Sequence, residues 1–157
     1  MPFFNNEIGQ HIGSQNAAAD TLLLGRTTYD TFERTFAHQT EGIALALNNV
    51  KKYVVSSTMT AANWNNSTLI SANVADEVAK LKQQDGKNIS ITGSTTLVQS
   101  LMPHNLIDEY SLLVYPVVLG IGQRLFADGF KTDLQLIEAK PFSNGVVLMR
   151  YQPAVNS

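Results

Sequence analysis

Two stretches of the sequence set a glycine, a polar side chain and paired threonines between an apolar run and a helix-forming segment. The first is Gly25-Arg26-Thr27-Thr28, preceded by the run 21–24. The second is Gly93-Ser94-Thr95-Thr96-Leu97, preceded by the run 88–92. Glycine lets a backbone turn sharply and come close to a ligand. Hydroxyl residues open helices by accepting backbone N–H bonds. The N–H groups left free, with the positive end of the helix dipole, make such a turn an anion site best suited to phosphate. Singly, each turn has a plainer reading, because many strand-to-helix turns need glycine for geometry and bind nothing. Two of them at one edge of a sheet have the chemistry to grip both phosphates of a dinucleotide.

The elements that must position these turns follow from the hydrophobic pattern. Residues 88–92 alternate and are β-branched, which predicts a strand. Leu97, Val98 and Leu101 form the apolar face of a short helix that Pro103 ends. The helix after Gly25 runs to about Phe36. Ahead of it, residues 7–20 read as a helix with Ile8, Ile12 and the alanines 17–19 toward the core. Between the two turns the pattern predicts a short helix over 41–49, a strand over 51–56 and a turn at 63–66. A brief strand at 68–70 follows, then a helix over 73–84 stopped by Asp85-Gly86. Beyond the second turn come a long strand over 109–118, broken by Pro116, and a loop at Gly120-Ile121-Gly122. A hairpin closes the chain, with strands 134–140 and 146–152 around Ser143-Asn144-Gly145. Strands alternating with helices, then a hairpin, predict one α/β domain with a mostly parallel sheet and an antiparallel edge.

Composition narrows the partners. A net charge of −2 gives no electrostatic case for nucleic acid or an anionic membrane. With no cysteine, disulfides, thiolate catalysis and cysteine zinc sites are excluded. His11, His38 and His104 lack metal-ligand spacing, and no Ser/His/Asp set is legible. No apolar run approaches the ~20 residues of a membrane span. The start, MPFFNNEIGQ, lacks a basic n-region and a long apolar stretch, so the expectation is a cytoplasmic protein.

Other residues carry weaker signals. Arg26 could pair with a phosphate through its planar fork. As a plain surface arginine it would oppose the dipole of its own helix, and that mild cost favours the binding role. Gly120-Ile121-Gly122 begins like a dinucleotide fingerprint but lacks the third glycine and follows a late strand, so it reads as a loop. Arg124 beside it could meet an anionic substrate. Asp108-Glu109 reads as a solvated pair at a strand entrance. Phe3, Phe4 and Trp64 read as core or pocket wall. Glu7 is the carboxylate near the start that could approach a substrate, but nothing in the sequence assigns it that role. No catalytic residue and no metal ligand is assigned.

The motifs LLLGRTTYDTF, KKYVVSSTM, WNNSTLI, ISITGSTTLVQSL, LIDEYSLLVYPVVLGIGQRLF and GVVLMRYQP occur in this order. Together, over about residues 3–153, they resemble the dihydrofolate reductase-like family related to the reductase domain of the riboflavin-biosynthesis deaminase/reductase, the RibD C-terminal domain type. The resemblance implies a mixed sheet flanked by helices, with NADPH across the strand ends. It implies that Gly25, Arg26, Thr27 and Thr28 form the first phosphate-binding turn. It implies that Ser56, Ser57 and Thr58, otherwise a strand end with turn-forming hydroxyls, lie near the adenosine ribose and its 2′-phosphate. It implies that Gly93, Ser94, Thr95, Thr96 and Leu97 hold the diphosphate. The implied chemistry is hydride transfer from the nicotinamide to a small heterocycle or open-chain imine, by a chain for which a homodimer is allowed. Such proteins usually open with a central strand and flexible loop ahead of the position of Phe3, on the order of twenty-five residues, about one βα unit. The expectation is therefore a shortened domain in which the strands flanking that position have unpaired edges. The missing segment favours a second reading, a noncatalytic nucleotide-binding or dimerisation module of the same fold.

Overall fold

In the computed structural model, residues 3–154 are described. Chain order is α1 (Asn6–Ala17), β1 (Ala19–Gly25), α2 (Arg26–Phe36), α3 (Gly42–Asn49), β2 (Lys51–Val55), β3 (Ser67–Ile70), α4 (Val74–Lys82), β4 (Asn88–Gly93), α5 (Thr95–Leu101), β5 (Tyr110–Val114), β6 (Leu134–Pro141) and β7 (Val147–Pro153). The triple leucine of β1 explains its central place. A parallel strand buried on both faces needs a continuous apolar run rather than alternation. Leu22 and Leu24 pack with Tyr29, Leu47, Val54 and Trp64 on the side of α2 and α3. Leu23 packs with Ile70, Val78, Leu97 and Leu101 on the side of α4 and α5. The parallel sheet runs in the order β3-β2-β1-β4, and an antiparallel sheet runs β5-β7-β6.

The α/β architecture is the one expected, but its strands form two hydrogen-bonded sheets rather than one. Among the described residues β4 pairs only with β1, and β5 only with β7. The terminal hairpin thus gains β5 as a third strand. α1 serves this second sheet: Ile8 is fully buried against Phe142, Val146 and Leu148. Asn5 caps α1 by accepting from the Ile8 N–H at 3.0 Å.

Two expected boundaries move. α1 ends at Ala17, and Ala17 and Ala18 are exposed rather than core. Ala19 is claimed by β1 because it pairs with Asn88, whose N–H donates to the Ala18 carbonyl at 3.1 Å. β5 stops at Val114, four residues short of expectation. Pro116 brings no donor to the ladder, and the Val117 N–H turns back to the Tyr115 carbonyl at 2.8 Å. No helix among the described residues is long and apolar enough to cross a membrane.

Candidate functional site

Sheet register brings the predicted segments to one edge. Gly25 lies beside Val55, and Leu24 beside Gly93. Because β2, β1 and β4 are parallel neighbours, the turns at Gly25, Ser56 and Gly93 all leave their carboxyl ends. That is where open α/β sheets bind ligands.

The first and third turns touch through their glycines. A Cβ on Gly25 would collide with the Ser94 hydroxyl, and a Cβ on Gly93 would stand 2.6 Å from Thr28 Oγ1. The glycines therefore exist for close approach. Gly93 is not among the residues with positive φ, so left-handed geometry is not the reason for it. The Gly93–Ser94 peptide is cis. Ser94 caps α5, its hydroxyl accepting from the Leu97 N–H at 3.2 Å. Leu97 itself is buried and anchors α5 to the core; neither its side chain nor its N–H is left for a ligand. Thr96 is exposed and Thr95 half-buried. α2 begins differently: Gly25 offers no side-chain cap and the first turn holds no acidic residue. Its first N–H groups stay open to an anion.

Arg26 ties the first turn to the second. Its Nη1 donates to Thr58 Oγ1 at 2.6 Å, and its Nε lies 3.5 Å from the Asp30 carboxylate. The side chain remains half exposed. Ser56 is buried and accepts from the Thr58 and Met59 N–H groups at 3.2 and 3.1 Å, so it shapes the turn. Ser57 and Thr58 are the exposed hydroxyls of that segment. The structure adds a fourth turn, at residues 71–73, where β3 leads into α4. Ile70 is level with Val55, and its carbonyl accepts from the Ser56 N–H at 3.1 Å. This turn lacks glycine, so the pattern that marked the others passed it by. Asn73 carries its positive φ of 53°. Asp76 and Glu77 in the first turn of α4 make it a place for a neutral group rather than phosphate.

A buried polar network holds α2 and β2 in position. Asn48 donates to the carbonyls of Phe36 and Gln39 and accepts from Trp64 Nε1 at 2.6 Å. The Tyr29 hydroxyl accepts from the Trp64 N–H at 2.9 Å. Lys52 is fully buried, and its Nζ donates to the Leu47 and Val50 carbonyls at 2.6 and 2.9 Å. It lies 4.4 Å from the centre of the Trp64 ring. Burial pulls its pKa down to about 8.

The remaining candidates are engaged elsewhere. Asp108 pairs with Lys82 at 2.8 Å and Glu109 with Arg150 at 2.7 Å. Arg124 pairs with Asp128. Glu7 accepts from the Ser143 N–H and hydroxyl, and these bonds hold its carboxyl below the usual range. Burial, helped by Arg150, lowers the pKa of His11, which lies 3.4 Å from the Ser111 hydroxyl. Trp64 is core, Phe3 packs edge-on to Tyr115, and Phe4 is exposed. Two cavities, of about 600 and 250 Å3, lie near Phe126 and Leu134 and between α1 and the hairpin. Neither is lined by residues of the turns.

The model of the RibD C-terminal domain matches residues 5–148. The chain belongs to that family. YyaP of Bacillus subtilis (strain 168) is 33% identical over 138 residues, which are 84% of this chain and 73% of YyaP. Among RibD-like solved structures, a Shewanella sp. PV-4 protein named for riboflavin biosynthesis superposes with a TM-score of 0.77 at 20% identity, covering 97% of this chain and 84% of that one. A diaminohydroxyphosphoribosylaminopyrimidine deaminase/5-amino-6-(5-phosphoribosylamino)uracil reductase of Thermotoga maritima gives a TM-score of 0.68 at 11% identity, over 97% of this chain and 50% of its own. At these identities the two structures establish the shared fold. This RibD C-terminal domain therefore has a reductase-type architecture, with its glycine turns at the carboxyl edge of the parallel sheet.

Proposed function

We propose that this RibD C-terminal domain is an NADPH-dependent reductase that delivers a hydride to a small heterocyclic or imine substrate. The observation that carries the reading is the meeting of three turns at one sheet edge, joined by Gly25 with Ser94, Gly93 with Thr28, and Arg26 with Thr58. The residues present fit a dinucleotide phosphate. Two glycines let the first and third turns pack closely on one another, the N-terminus of α2 is uncapped, and a half-exposed arginine stands beside exposed hydroxyls. Bound NADPH would supply the hydride; the protein supplies binding and orientation.

Each residue has a role in that binding. The open N–H groups of Arg26, Thr27 and Thr28 would donate to phosphate oxygens. Ser94 and Leu97 would hold α5 in place rather than contact the cofactor. Arg26, oriented by Thr58, would recognise a ribose 2′-phosphate, with Ser57 beside it. The Asp30 carboxylate keeps the guanidinium over the turn when no anion is present. Isothermal titration with NADPH tests the site, followed by NADPH oxidation against pteridines, flavins and carbonyls. Binding with turnover on one of these supports the proposal. Binding without turnover on any of them favours the noncatalytic module, and no binding overturns the site itself.

A further inference from the structure

Ile8, His11, Ile12 and Gln15 recur along α1 at the spacing that puts them on one helix face. That face lies on the antiparallel sheet. Ile8 and Ile12 pack with Leu113, Phe142, Val146 and Leu148, and the Gln15 side chain donates to the Ser111 hydroxyl at 2.7 Å. His11 sits between them. Its ring centre is 6.4 Å from that of Phe142, and its Nε2 lies 3.4 Å from the Ser111 hydroxyl. An amphipathic helix normally turns its titratable side chains away from its apolar stripe. Here a histidine stands in the middle of the stripe, half-buried, while His38 and His104 are exposed.

Charged groups face His11 from each element packed around it. Register pairs Ser111 with Arg150, Arg150 with Glu138, and Leu148 with both Leu113 and Lys140. Paired and alternate residues share a face of a sheet, so these side chains all lie on the α1 side. β7 therefore presents Arg150 to the helix, and β6 presents Glu138 and Lys140. β5 presents the neutral Ser111, and Glu109 at its entrance is tied to Arg150 at 2.7 Å. α1 itself contributes Glu7, one turn before His11. Burial opposes a proton on His11 most strongly and Arg150 next; Glu138 favours one, and Lys140 opposes it. A proton still has a way in, because the cleft of about 250 Å3 between α1 and the hairpin is lined by His11.

We propose that α1 is an acid-released latch: a proton on His11 lifts the first turns of the helix off the antiparallel sheet and uncovers the apolar face of Phe142, Val146 and Leu148, while the parallel sheet keeps its fold. The docked ring holds a proton less readily than an exposed imidazole, whose ordinary value is 6.5. The released helix therefore binds more protons than the docked one, and acid favours release. The equilibrium shifts below pH 6.5, by at most about tenfold per pH unit for one proton, and levels off once the docked ring is itself protonated. Glu7 works against release. Its bonds to Ser143 hold its carboxyl below the usual range, so it stays ionised and anchored while His11 titrates. Release stays local because the cluster around Ile8 is separate from the two that hold the parallel sheet. The far end of α1 remains tied to that sheet, with Lys87 Nζ donating to the Ala17 carbonyl at 3.3 Å.

Hydrogen exchange of the full chain, followed by NMR and corrected for the intrinsic rate at each pH, tests the proposal. Protection of the amides around Ile8 and His11 should fall several-fold, and by no more than about tenfold, between pH 6.5 and about 5.5. Protection in β1 should not change. Fluorescence of the apolar probe anilinonaphthalenesulfonate should rise over the same range. His11→Phe keeps a ring against Phe142 and takes no proton, and His11→Gln keeps a polar partner for Ser111. Each should hold α1 protection flat, so one variant reads the latch if the other disturbs the fold. His38→Gln should behave as the native chain does. Protection in α1 that is flat with pH in the native chain, a fall shared equally by β1, or a fall that persists in the His11 variants would each overturn the proposal.

Discussion

One methyl group added at each turn glycine separates packing against backbone from packing against a side chain. On Gly25 the new Cβ would collide with the Ser94 hydroxyl and stand 3.1 Å from the Ser94 backbone nitrogen. A backbone nitrogen cannot rotate away, so the first and third turns must move apart. Overpacking costs about 1–3 kcal/mol, and a rigid neighbour places Gly25→Ala near the upper end. On Gly93 the obstacle is Thr28 Oγ1 at 2.6 Å, while Thr28 Cβ and Cγ2 stand at 3.7 Å. Threonine in a helix has two accessible rotamers, so the hydroxyl can swing aside for about 1 kcal/mol. Thr28→Ala removes the obstacle altogether. A double-mutant cycle of Gly93→Ala with Thr28→Ala should therefore show a coupling of about 1 kcal/mol, whereas Gly25→Ala with Thr28→Ala should be additive within about 0.5 kcal/mol. Urea unfolding followed by circular dichroism measures each corner, provided the slope with denaturant is unchanged. NADPH titration of the same variants should show the larger loss for Gly25→Ala, which separates the turns. Equal costs at the two glycines, or an additive Gly93–Thr28 cycle, would refute the packing described for the site.

Arg26→Ala should weaken NADPH binding about tenfold, the low end for a charged hydrogen bond, because Arg26 is half exposed and shared with Asp30. NADH binding should hardly change, and stability should stay within about 0.5 kcal/mol; calorimetry showing equal losses for both cofactors would remove the 2′-phosphate assignment. Lys52 carries a pH prediction. Its folded pKa of about 8 lies below the ordinary 10.5, so between these values the unfolded chain binds more protons and stability rises with pH. The gain should reach about 2 kcal/mol near pH ~9.5 and vanish in Lys52→Met. Unfolding midpoints of the native chain that stay flat across this window would show that the Leu47 and Val50 carbonyls offset the burial.

The parts of the fold legible in the sequence are those dictated by local pattern. The triple leucine of β1, the alternation of β4 and the threonine-rich helix starts all form where they read. What escaped depends on contacts distant in sequence. Nothing in an alanine run marks the end of α1; Asn88, some seventy residues on, claims Ala19 for the sheet. Lys52 sits in a KKYVV strand where either lysine could face water. Only the carbonyls at the end of α3 show which one is buried. Within the site, the glycine turns were legible as possible anion sites. The contacts that join them, Gly25 to Ser94 and Arg26 to Thr58, exist only once β2, β1 and β4 are neighbours. Ser56 read as lying near the ribose, and nothing in the sequence showed that its hydroxyl oxygen also shapes its own turn by accepting from the Thr58 and Met59 N–H groups.

The docking of Ile8 among Phe142, Val146 and Leu148 has a consequence for the order in which the chain is made. During synthesis β1 can meet β2 early, since Thr21 pairs with Lys51, but its other edge waits for Asn88. The β6–β7 hairpin closes locally within microseconds of being complete. Of the residues that pack with Ile8 of α1, Leu113 and Tyr115 are made earlier, but the buried ones, Phe142, Val146 and Leu148, all belong to that hairpin. The docking of α1 is the longest-range event in the molecule, and loop closure over such a span is slow. α1 is therefore made well before the hairpin it packs on, and its full docking waits until β7 has been made.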